Sequence, residues 1–120
     1  NIIFLGHQKN IAEFYKKSKI FIISSFSEGL PNVLIESAFY KCARISSDTV
    51  GAKELIKDEK DGLLFKIGDA KELAKKLEIL MKDENLQKKL IENANESLVN
   101  FTPGKILKQW EKIIETVVNK

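Results

Sequence analysis

Two glutamates, Glu28 and Glu36, flank a short segment that contains the turn-forming residues Gly29 and Pro31. An apolar run at residues 20–23 precedes this segment and predicts a strand buried on both faces. Beyond Pro31, apolar residues recur at the spacing of an α-helix. The two carboxylates therefore belong to a predicted strand, loop and helix.

Loops of this kind bind ligands in open parallel sheets. They leave the carboxyl ends of strands, where they line a crevice, and a helix that begins there directs free backbone N–H groups at anions. We expect Glu36 in the first turn of the helix and Glu28 on the loop, so that both face one cleft. Because carboxylates accept hydrogen bonds from sugar hydroxyls, the pair predicts a phosphorylated sugar compound as ligand.

The spacing of Glu28 and Glu36 also has a purely structural interpretation. One of them can be a surface charge and the other an acidic residue that stabilises the start of its own helix. Spacing alone does not separate this interpretation from ligand binding.

The elements around this segment alternate between strands and helices. Apolar runs predict strands at residues 2–5, 20–23, 43–46 and 63–65. Helical periodicity is expected over residues 10–18, 33–39 and 54–57. This order predicts an α/β fold, a Rossmann-like parallel sheet with flanking helices.

The last part of the sequence predicts helices only. Asp69, followed by Glu72, is typical of an N-cap with a capping box. A second helix carries apolar residues from Leu86 to Leu98, and Thr102 with Pro103 predicts the start of a third.

Composition limits the class of protein. At 120 residues, with 43% hydrophobic and 31% charged residues, the chain can form one modest core, as a single soluble domain or part of one. Basic and acidic residues are interspersed and the net charge is only +3, so no nucleic-acid-binding stripe is indicated. No apolar run approaches a membrane span and no secretory leader is visible. The start at Asn1, without an initiator Met, predicts a fragment.

Three further residues carry reactive or charged groups. His7 is the only histidine and is expected to be a polar loop residue rather than a metal ligand. Cys42 is the only cysteine, which excludes an internal disulfide and predicts a buried, unreactive thiol in a reducing cytosol. Arg44, inside a predicted strand, must reach water, an acidic partner or a phosphate. We favour a side chain that extends along the strand's edge to water.

The segment Glu28-Gly29-Leu30-Pro31-Asn32-Val33-Leu34-Ile35-Glu36 resembles the E-x7-E signature of retaining glycosyltransferases of the two-lobed GT-B architecture. This is the large group 1 family, also called family 4, which includes lipopolysaccharide, mannosyl and sucrose-type transferases. The resemblance extends over most of the chain. It includes Phe4-Leu5-Gly6, Ser25, Val50-Gly51, Glu54-Leu55-Ile56 and Asp61-Gly62-Leu63-Leu64-Phe65.

The resemblance implies roles for these residues. Residues 1–120 would form the later part of the C-terminal donor-binding lobe, as one domain. Glu28 would be catalytic, in contact with the transferred sugar, and Glu36 would accept hydrogen bonds from the ribose hydroxyls. The implied donor-binding set is Gly6, Ser25, Gly29, Leu30, Pro31, Asn32, Val33 and Glu36. The donor would be a nucleoside diphosphate sugar, and no metal ion or other cofactor is expected.

The same resemblance implies a reaction and its missing parts. A hexosyl or N-acetylhexosaminyl unit would pass to an acceptor hydroxyl with retention of configuration. The family's basic diphosphate clamp and its acceptor-binding lobe lie upstream of the residues present here, so we expect the isolated chain to fold without turning over. The expected location is the cytoplasm, with peripheral membrane contact through the absent lobe as an open alternative.

The chain departs from the family pattern at three positions. Lys41 replaces a glycine expected at a helix C-cap, Ala52 replaces the second glycine of a turn, and Lys53 replaces a proline.

Two alternative functions also stay open: a donor-binding subunit that needs a partner chain, and a non-enzymatic doubly wound α/β interaction domain. The base, sugar and acceptor are not indicated.

Overall fold

A parallel three-stranded sheet forms the centre of the computed structural model, which describes residues 2–27 and 32–98. The strands are β1 (Ile20–Ile23), β2 (Ala43–Ser47) and β3 (Leu63–Phe65), in the order β1-β2-β3. In the register, Ile20 lies opposite Ala43, and Ile45 lies opposite Leu63. The predicted α/β fold with a parallel sheet is therefore confirmed.

Helices supply the crossovers that parallel strands require. The described helices are α1 (Ile11–Lys17), α2 (Asn32–Phe39), α3 (Val50–Leu55), α4 (Ala70–Lys82) and α5 (Glu84–Ser97). α2 connects β1 to β2, and α3 connects β2 to β3. The expected helical segment after the sheet is confirmed for α4 and α5. The third helix predicted there, from Thr102, lies outside the described residues.

Apolar side chains leave the sheet on both faces, because successive residues of a strand point in opposite directions. One face packs on α4 and α5 through the buried residues Ala43, Ile45, Leu63, Phe65, Leu80 and Leu90. The other face packs on α2 and α3 through Leu34, Ala52, Leu55 and Ile56, with Phe21, Ile23 and Leu64 against them. The sheet is thus the middle of three layers.

Residues 2–5 do not form the predicted strand. They are exposed, and Phe4 reaches 94% exposure. An apolar run becomes a strand only beside an edge that pairs with its backbone, and β1 pairs with β2 alone in the described sheet. As the edge strand, β1 is also less buried than predicted, with Ile22 38% exposed.

The helix predicted at residues 54–57 begins earlier, at Val50. The hydroxyl of Thr49 accepts a hydrogen bond from the Ala52 N–H at 3.2 Å, which makes Thr49 the N-cap. Gly51 therefore lies inside α3 rather than in a turn, and Glu54 lies near the end of the helix rather than at its start.

The C-terminus of α2 has a left-handed residue at the position where the family pattern has a glycine. Lys41 has φ of 61°, where glycine is normally favoured. The Cys42 N–H donates to the Ser37 carbonyl at 2.9 Å, and the Lys41 N–H donates to the Ala38 carbonyl at 3.1 Å. This pair of bonds is a Schellman motif, so the helix ends in its usual geometry with an unusual residue.

The predicted N-cap of α4 is confirmed, but its capping box is only half formed. Asp69 Oδ1 accepts from the Glu72 N–H at 2.9 Å. The Asp69 N–H donates to the Lys66 carbonyl, and the Glu72 carboxylate instead pairs with Lys76 at 3.3 Å.

Within the described parts of the chain, no helix is both long enough and apolar enough to cross a bilayer.

Candidate functional site

The loops after the three strands lie at one edge of the sheet, because the strands are parallel. Ser47, at the end of β2, donates a hydrogen bond from Oγ to the Ser25 carbonyl at 2.6 Å. Asp48 Oδ1 accepts from the Ile67 N–H at 3.0 Å. These two bonds connect the exits of β1, β2 and β3, so the three loops form one continuous surface, which we call the carboxyl edge.

An aromatic side chain also lies across this edge. Phe26, on the loop after β1, is 77% exposed. Its ring lies near Gly68, on the loop after β3, where a Cβ would be 3.6 Å from Phe26 Cε1. Gly68 has φ of 80°, a conformation that glycine adopts without strain.

Four of the nine predicted site residues lie outside the described residues. These positions are Glu28, Gly29, Leu30 and Pro31, which include the predicted catalytic carboxylate. Their roles therefore stay predictions.

Three other predicted residues lie close to the carboxyl edge along the chain. Ser25 is half-buried on the loop after β1, and its carbonyl accepts the Ser47 bond described above. Asn32 and Val33 are half-buried and form the start of α2. The first N–H groups of a helix have no partner within it, so this start is suited to anionic oxygens.

Gly6 lies away from these elements in the sequence, in the exposed segment before α1. Its φ of 66° explains why glycine suits this position. His7 beside it is exposed, as expected of a polar loop residue. Among residues 2–27 and 32–98, no three His, Cys, Asp or Glu side chains are grouped to hold a metal ion.

Glu36 lies just beyond the first turn of α2, rather than within it as was predicted. The helix begins at Asn32 and has no acidic residue in its first turn. Glu36 is half-buried, and its Oε2 accepts a hydrogen bond from the Tyr15 hydroxyl at 3.3 Å. That distance is long for an O–H···O bond, so the contact orients the carboxylate without using all of its acceptor capacity.

Sequence reasoning missed this partner of Glu36. The sequence predicts only that Tyr15 belongs to a helix over residues 10–18. It is 3% exposed, its ring stacks on Tyr40 with centroids 5.5 Å apart, and it lies 5.6 Å from the Phe21 ring. No local pattern could have revealed the pair, because α1 and α2 come together only in the folded chain.

Burial is the main reason that the Tyr15 phenol stays neutral. Together with the nearby Glu36 carboxylate, which both repels a phenolate and accepts the phenol proton, burial raises the pKa of Tyr15 to about 12. Tyr15 is therefore a hydrogen-bond donor to Glu36 at every physiological pH.

Arg44 does not extend to water along the strand's edge, and that prediction was wrong. It is 2% exposed and donates to the carbonyls of Leu34 at 2.9 Å and Asp61 at 3.0 Å. The guanidinium also lies 3.6 Å from Asp61 Oδ1. Burial lowers the pKa of Arg44, and the charge of Asp61 opposes that change. Arg44 joins β2 to α2 and to the turn before β3 inside the core, so it is a structural residue.

Cys42 is a buried free thiol, as predicted. Its Sγ lies 3.4 Å from the carbonyls of Tyr15 and Ser18, at the end of α1. Burial raises the pKa of this thiol, which disfavours the reactive thiolate.

Comparison with known proteins agrees with this arrangement. The family described as "Glycosyl transferases group 1" matches residues 1–97. A curated relative from Campylobacter jejuni is 46% identical over 117 residues, which cover 97% of this chain and 33% of the relative. It is a GalNAc-α-(1→4)-GalNAc-α-(1→3)-diNAcBac-PP-undecaprenol α-1,4-N-acetyl-D-galactosaminyltransferase. The chain thus spans about a third of that relative's length.

Solved structures show the same fold. The C-terminal domain of the group 1 glycosyl transferase LpcC from Francisella tularensis has a TM-score of 0.72 at 26% identity, over 82% of this chain and 51% of that one. Anabaena HepE in complex with UDP-glucose has a TM-score of 0.79 at 20% identity, over 98% of this chain and 32% of that one. The fold is that of the C-terminal domain of GT-B glycosyltransferases. With the match over residues 1–97, the chain belongs to the group 1 glycosyltransferase family.

Proposed function

We propose that residues 1–120 are the later part of the nucleotide-sugar-binding lobe of a retaining glycosyltransferase. The observation that carries this proposal is the Glu36 carboxylate. It is half-buried on the helix that follows the carboxyl edge, and it is oriented by a neutral phenol rather than neutralised by a cation. A carboxylate in that state has acceptor sites left for a ligand.

The chemistry of a ribose fits those sites. A carboxylate offers about four lone-pair positions on its two oxygens, and Tyr15 occupies one of them on Oε2. The two neighbouring hydroxyls of a ribose are donors at the spacing of one carboxyl group. Glu36 therefore accepts hydrogen bonds from the ribose of a nucleoside diphosphate sugar.

The diphosphate and the transferred sugar lie towards the start of α2 in this proposal. The N–H groups at Asn32 and Val33 and the positive end of the helix favour phosphate oxygens. Glu28 contacts the transferred sugar as the catalytic residue, and Gly29, Leu30 and Pro31 complete the loop around it. The charge that develops on the leaving diphosphate is stabilised by these N–H groups, and by basic side chains outside residues 1–120, without a metal ion.

The sugar class follows from the relatives. The Campylobacter jejuni relative is named for N-acetylgalactosaminyl transfer, and HepE was solved with UDP-glucose. We therefore propose a hexosyl or N-acetylhexosaminyl unit as the transferred group, with an acceptor hydroxyl bound by a lobe outside this chain.

The reaction is tested on the longest polypeptide that the gene encodes, with UDP-, GDP- and ADP-linked hexoses and N-acetylhexosamines. We expect transfer from one donor class, and NMR of the new glycosidic bond showing the donor's anomeric configuration. Glu28→Gln should abolish transfer, whereas Glu54→Gln, an exposed carboxylate near the end of α3, should leave it unchanged. Transfer with inversion, or full activity in Glu28→Gln, would contradict the proposed mechanism.

The isolated chain is proposed to be inactive. It contains neither an acceptor-binding lobe nor the upstream clamp, so the same assay on residues 1–120 should show no turnover. Robust transfer by the isolated chain would show that residues 1–120 already contain the whole catalytic machinery.

A further inference from the structure

We propose that Tyr15 is a positioning residue that holds the Glu36 carboxylate in the orientation that binds a ribose diol. The inference rests on the proposed function of Glu36 and adds a residue from a different helix to it. Tyr15 itself does not touch the nucleotide; it acts through Glu36.

The first step of the argument is the contact between the two side chains. The Tyr15 hydroxyl donates to Glu36 Oε2 across a separation of 3.3 Å, and Tyr15 is 3% exposed. A glutamate side chain on a helix has several rotatable bonds, and an unheld carboxylate would turn freely. A donor at one fixed place selects the rotamers in which Oε2 points to Tyr15, and leaves Oε1 directed elsewhere.

The second step is that Tyr15 is itself held firmly. Its ring stacks on Tyr40 at an interplanar angle of 9° and lies against Phe21 at 52°. Its carbonyl accepts from the Ser18 N–H at 3.2 Å and from Cys42 Sγ at 3.4 Å. Backbone and ring are therefore both fixed, so the hydroxyl has a defined position.

The third step connects this support to the helix that carries Glu36. Tyr40 lies one turn after Glu36, and its N–H donates to the Glu36 carbonyl at 3.0 Å. The ring that stacks on Tyr15 and the carboxylate that Tyr15 orients thus belong to neighbouring turns of one chain segment. Any movement of α1 relative to α2 would change both contacts together.

The functional consequence concerns the ribose rather than the base or the transferred sugar of the donor. An oriented carboxylate can accept hydrogen bonds from both ribose hydroxyls at once, whereas a freely turning one must first be ordered, which costs side-chain entropy. Loss of the Tyr15 hydroxyl should therefore reduce the preference for ribose over a sugar without these hydroxyls.

The test measures that preference on the longest polypeptide that the gene encodes. UDP, GDP and ADP are compared by calorimetry, and the tightest is measured again as its 2′,3′-dideoxy analogue. The quantity of interest is the dissociation constant of the dideoxy analogue divided by that of the nucleotide, which measures the preference for ribose. We expect Tyr15→Phe to lower this ratio about three- to tenfold, because the Glu36 side chain must then be ordered when the ribose binds. The dideoxy analogue should bind the variant as it binds the unaltered protein.

Tyr40→Phe is the matched control, because it removes a phenol hydroxyl from the stacked ring and leaves the Tyr15 to Glu36 bond intact. Its ratio should be unchanged. If Tyr15→Phe weakens the nucleotide and its analogue equally, Tyr15 has a purely structural role and the inference fails.

Glu36→Ala distinguishes this failure from failure of the proposed function. If Glu36→Ala lowers the ratio and Tyr15→Phe does not, Glu36 binds ribose without help from Tyr15, and only the inference is overturned. If Glu36→Ala leaves the ratio unchanged, Glu36 does not bind the ribose, and both proposals are overturned.

Discussion

Two pairs of polar side chains, Arg44 with Asp61 and Tyr15 with Glu36, each connect two elements of this molecule. They differ in whether acceptor positions remain free for a ligand. Arg44 and Asp61 are both buried, and the guanidinium donates to two carbonyls as well as facing the carboxylate. Glu36 is half-buried and is contacted by one neutral donor, Tyr15, at 3.3 Å. The first pair joins β2 to the turn before β3, and the second joins α1 to α2.

This difference shows how a structural charge can be told from a candidate ligand group. The charge of Arg44 faces an opposite charge inside the protein, and its two terminal nitrogens donate there, although its buried Nε has no hydrogen-bond partner among the described residues. The carboxylate of Glu36 faces no cation in the described structure and retains unused acceptor positions. The lack of a cationic partner in the described structure, rather than charge or burial alone, is why we propose Glu36 as the ligand group.

The largest effect is expected from breaking the buried pair. Asp61→Ala leaves the Arg44 charge without its partner and also removes the acceptor of the Lys57 N–H, now 2.8 Å from Asp61 Oδ1. We expect the free energy of unfolding, measured by urea denaturation, to fall by about 3–5 kcal/mol. Glu54→Ala, at an exposed carboxylate, should change it by less than about 0.5 kcal/mol. A loss of that small size in Asp61→Ala would show that the Arg44 pair does not stabilise the fold.

The neutral phenol of the second pair should be visible in an alkaline titration. The chain has two tyrosines, and the absorbance change of tyrosinate should include a step with a pKa of about 12, due to Tyr15. Tyr15→Phe should remove that step. Because the folded state holds this proton above the ordinary pKa of 10.0, its contribution to stability is complete below pH 10 and is lost as the pH rises towards 12. Titration of both tyrosines near pH 10 would show that Tyr15 is not held as described.

A carboxylate near the carboxyl edge that already accepts a hydrogen bond within the protein should contribute to stability and not to nucleotide binding, like the pair of Arg44 and Asp61. Asp69 follows β3 and accepts the Glu72 N–H as the N-cap of α4. Asp69→Ala should lower the free energy of unfolding by about 1 kcal/mol. Nucleotide affinity should be unchanged at a temperature where the variant is folded. A loss of affinity in the folded variant would mean that position at this edge, and not free acceptor capacity, decides function.

The smallest effect is expected at the end of α2, at a residue that belongs to neither pair. Lys41 has φ of 61° in the Schellman motif, so Lys41→Gly relieves a strained conformation while making the unfolded chain more flexible. We expect a net stabilisation of about 0.5 kcal/mol by thermal unfolding. Lys41→Ala, which keeps a side chain at this φ, should give no such gain. Equal stability of the glycine and alanine variants would show that the left-handed conformation carries no strain here.

Much of the fold was predictable because its determinants are local. The strands β1 and β3 coincide with apolar runs, and the start of α4 coincides with an aspartate that caps it. The two failures differ in cause. Residues 2–5 have a strand's composition but pair with neither open edge of the described sheet, which the local sequence does not reveal. The earlier start of α3 has a local cause that was missed, because Thr49 is its N-cap.

The candidate site was predictable in part for the same reason. α2 follows from the pattern around Glu36, but the place of Glu36 in the second turn depends on where the helix begins. The partners of Glu36 and Arg44 could not be predicted, because Tyr15 and Asp61 are far from them in the sequence and meet them only after folding.

The most direct test of the central claim, that Glu36 binds the ribose of a nucleotide donor, is calorimetry on the longest polypeptide that the gene encodes. UDP, GDP and ADP are titrated into the unaltered protein, Glu36→Ala and the control Glu54→Ala. We predict saturable binding of one nucleotide, weakened at least about tenfold by Glu36→Ala and unaffected by Glu54→Ala. Equal affinity in Glu36→Ala and the unaltered protein would contradict the claim.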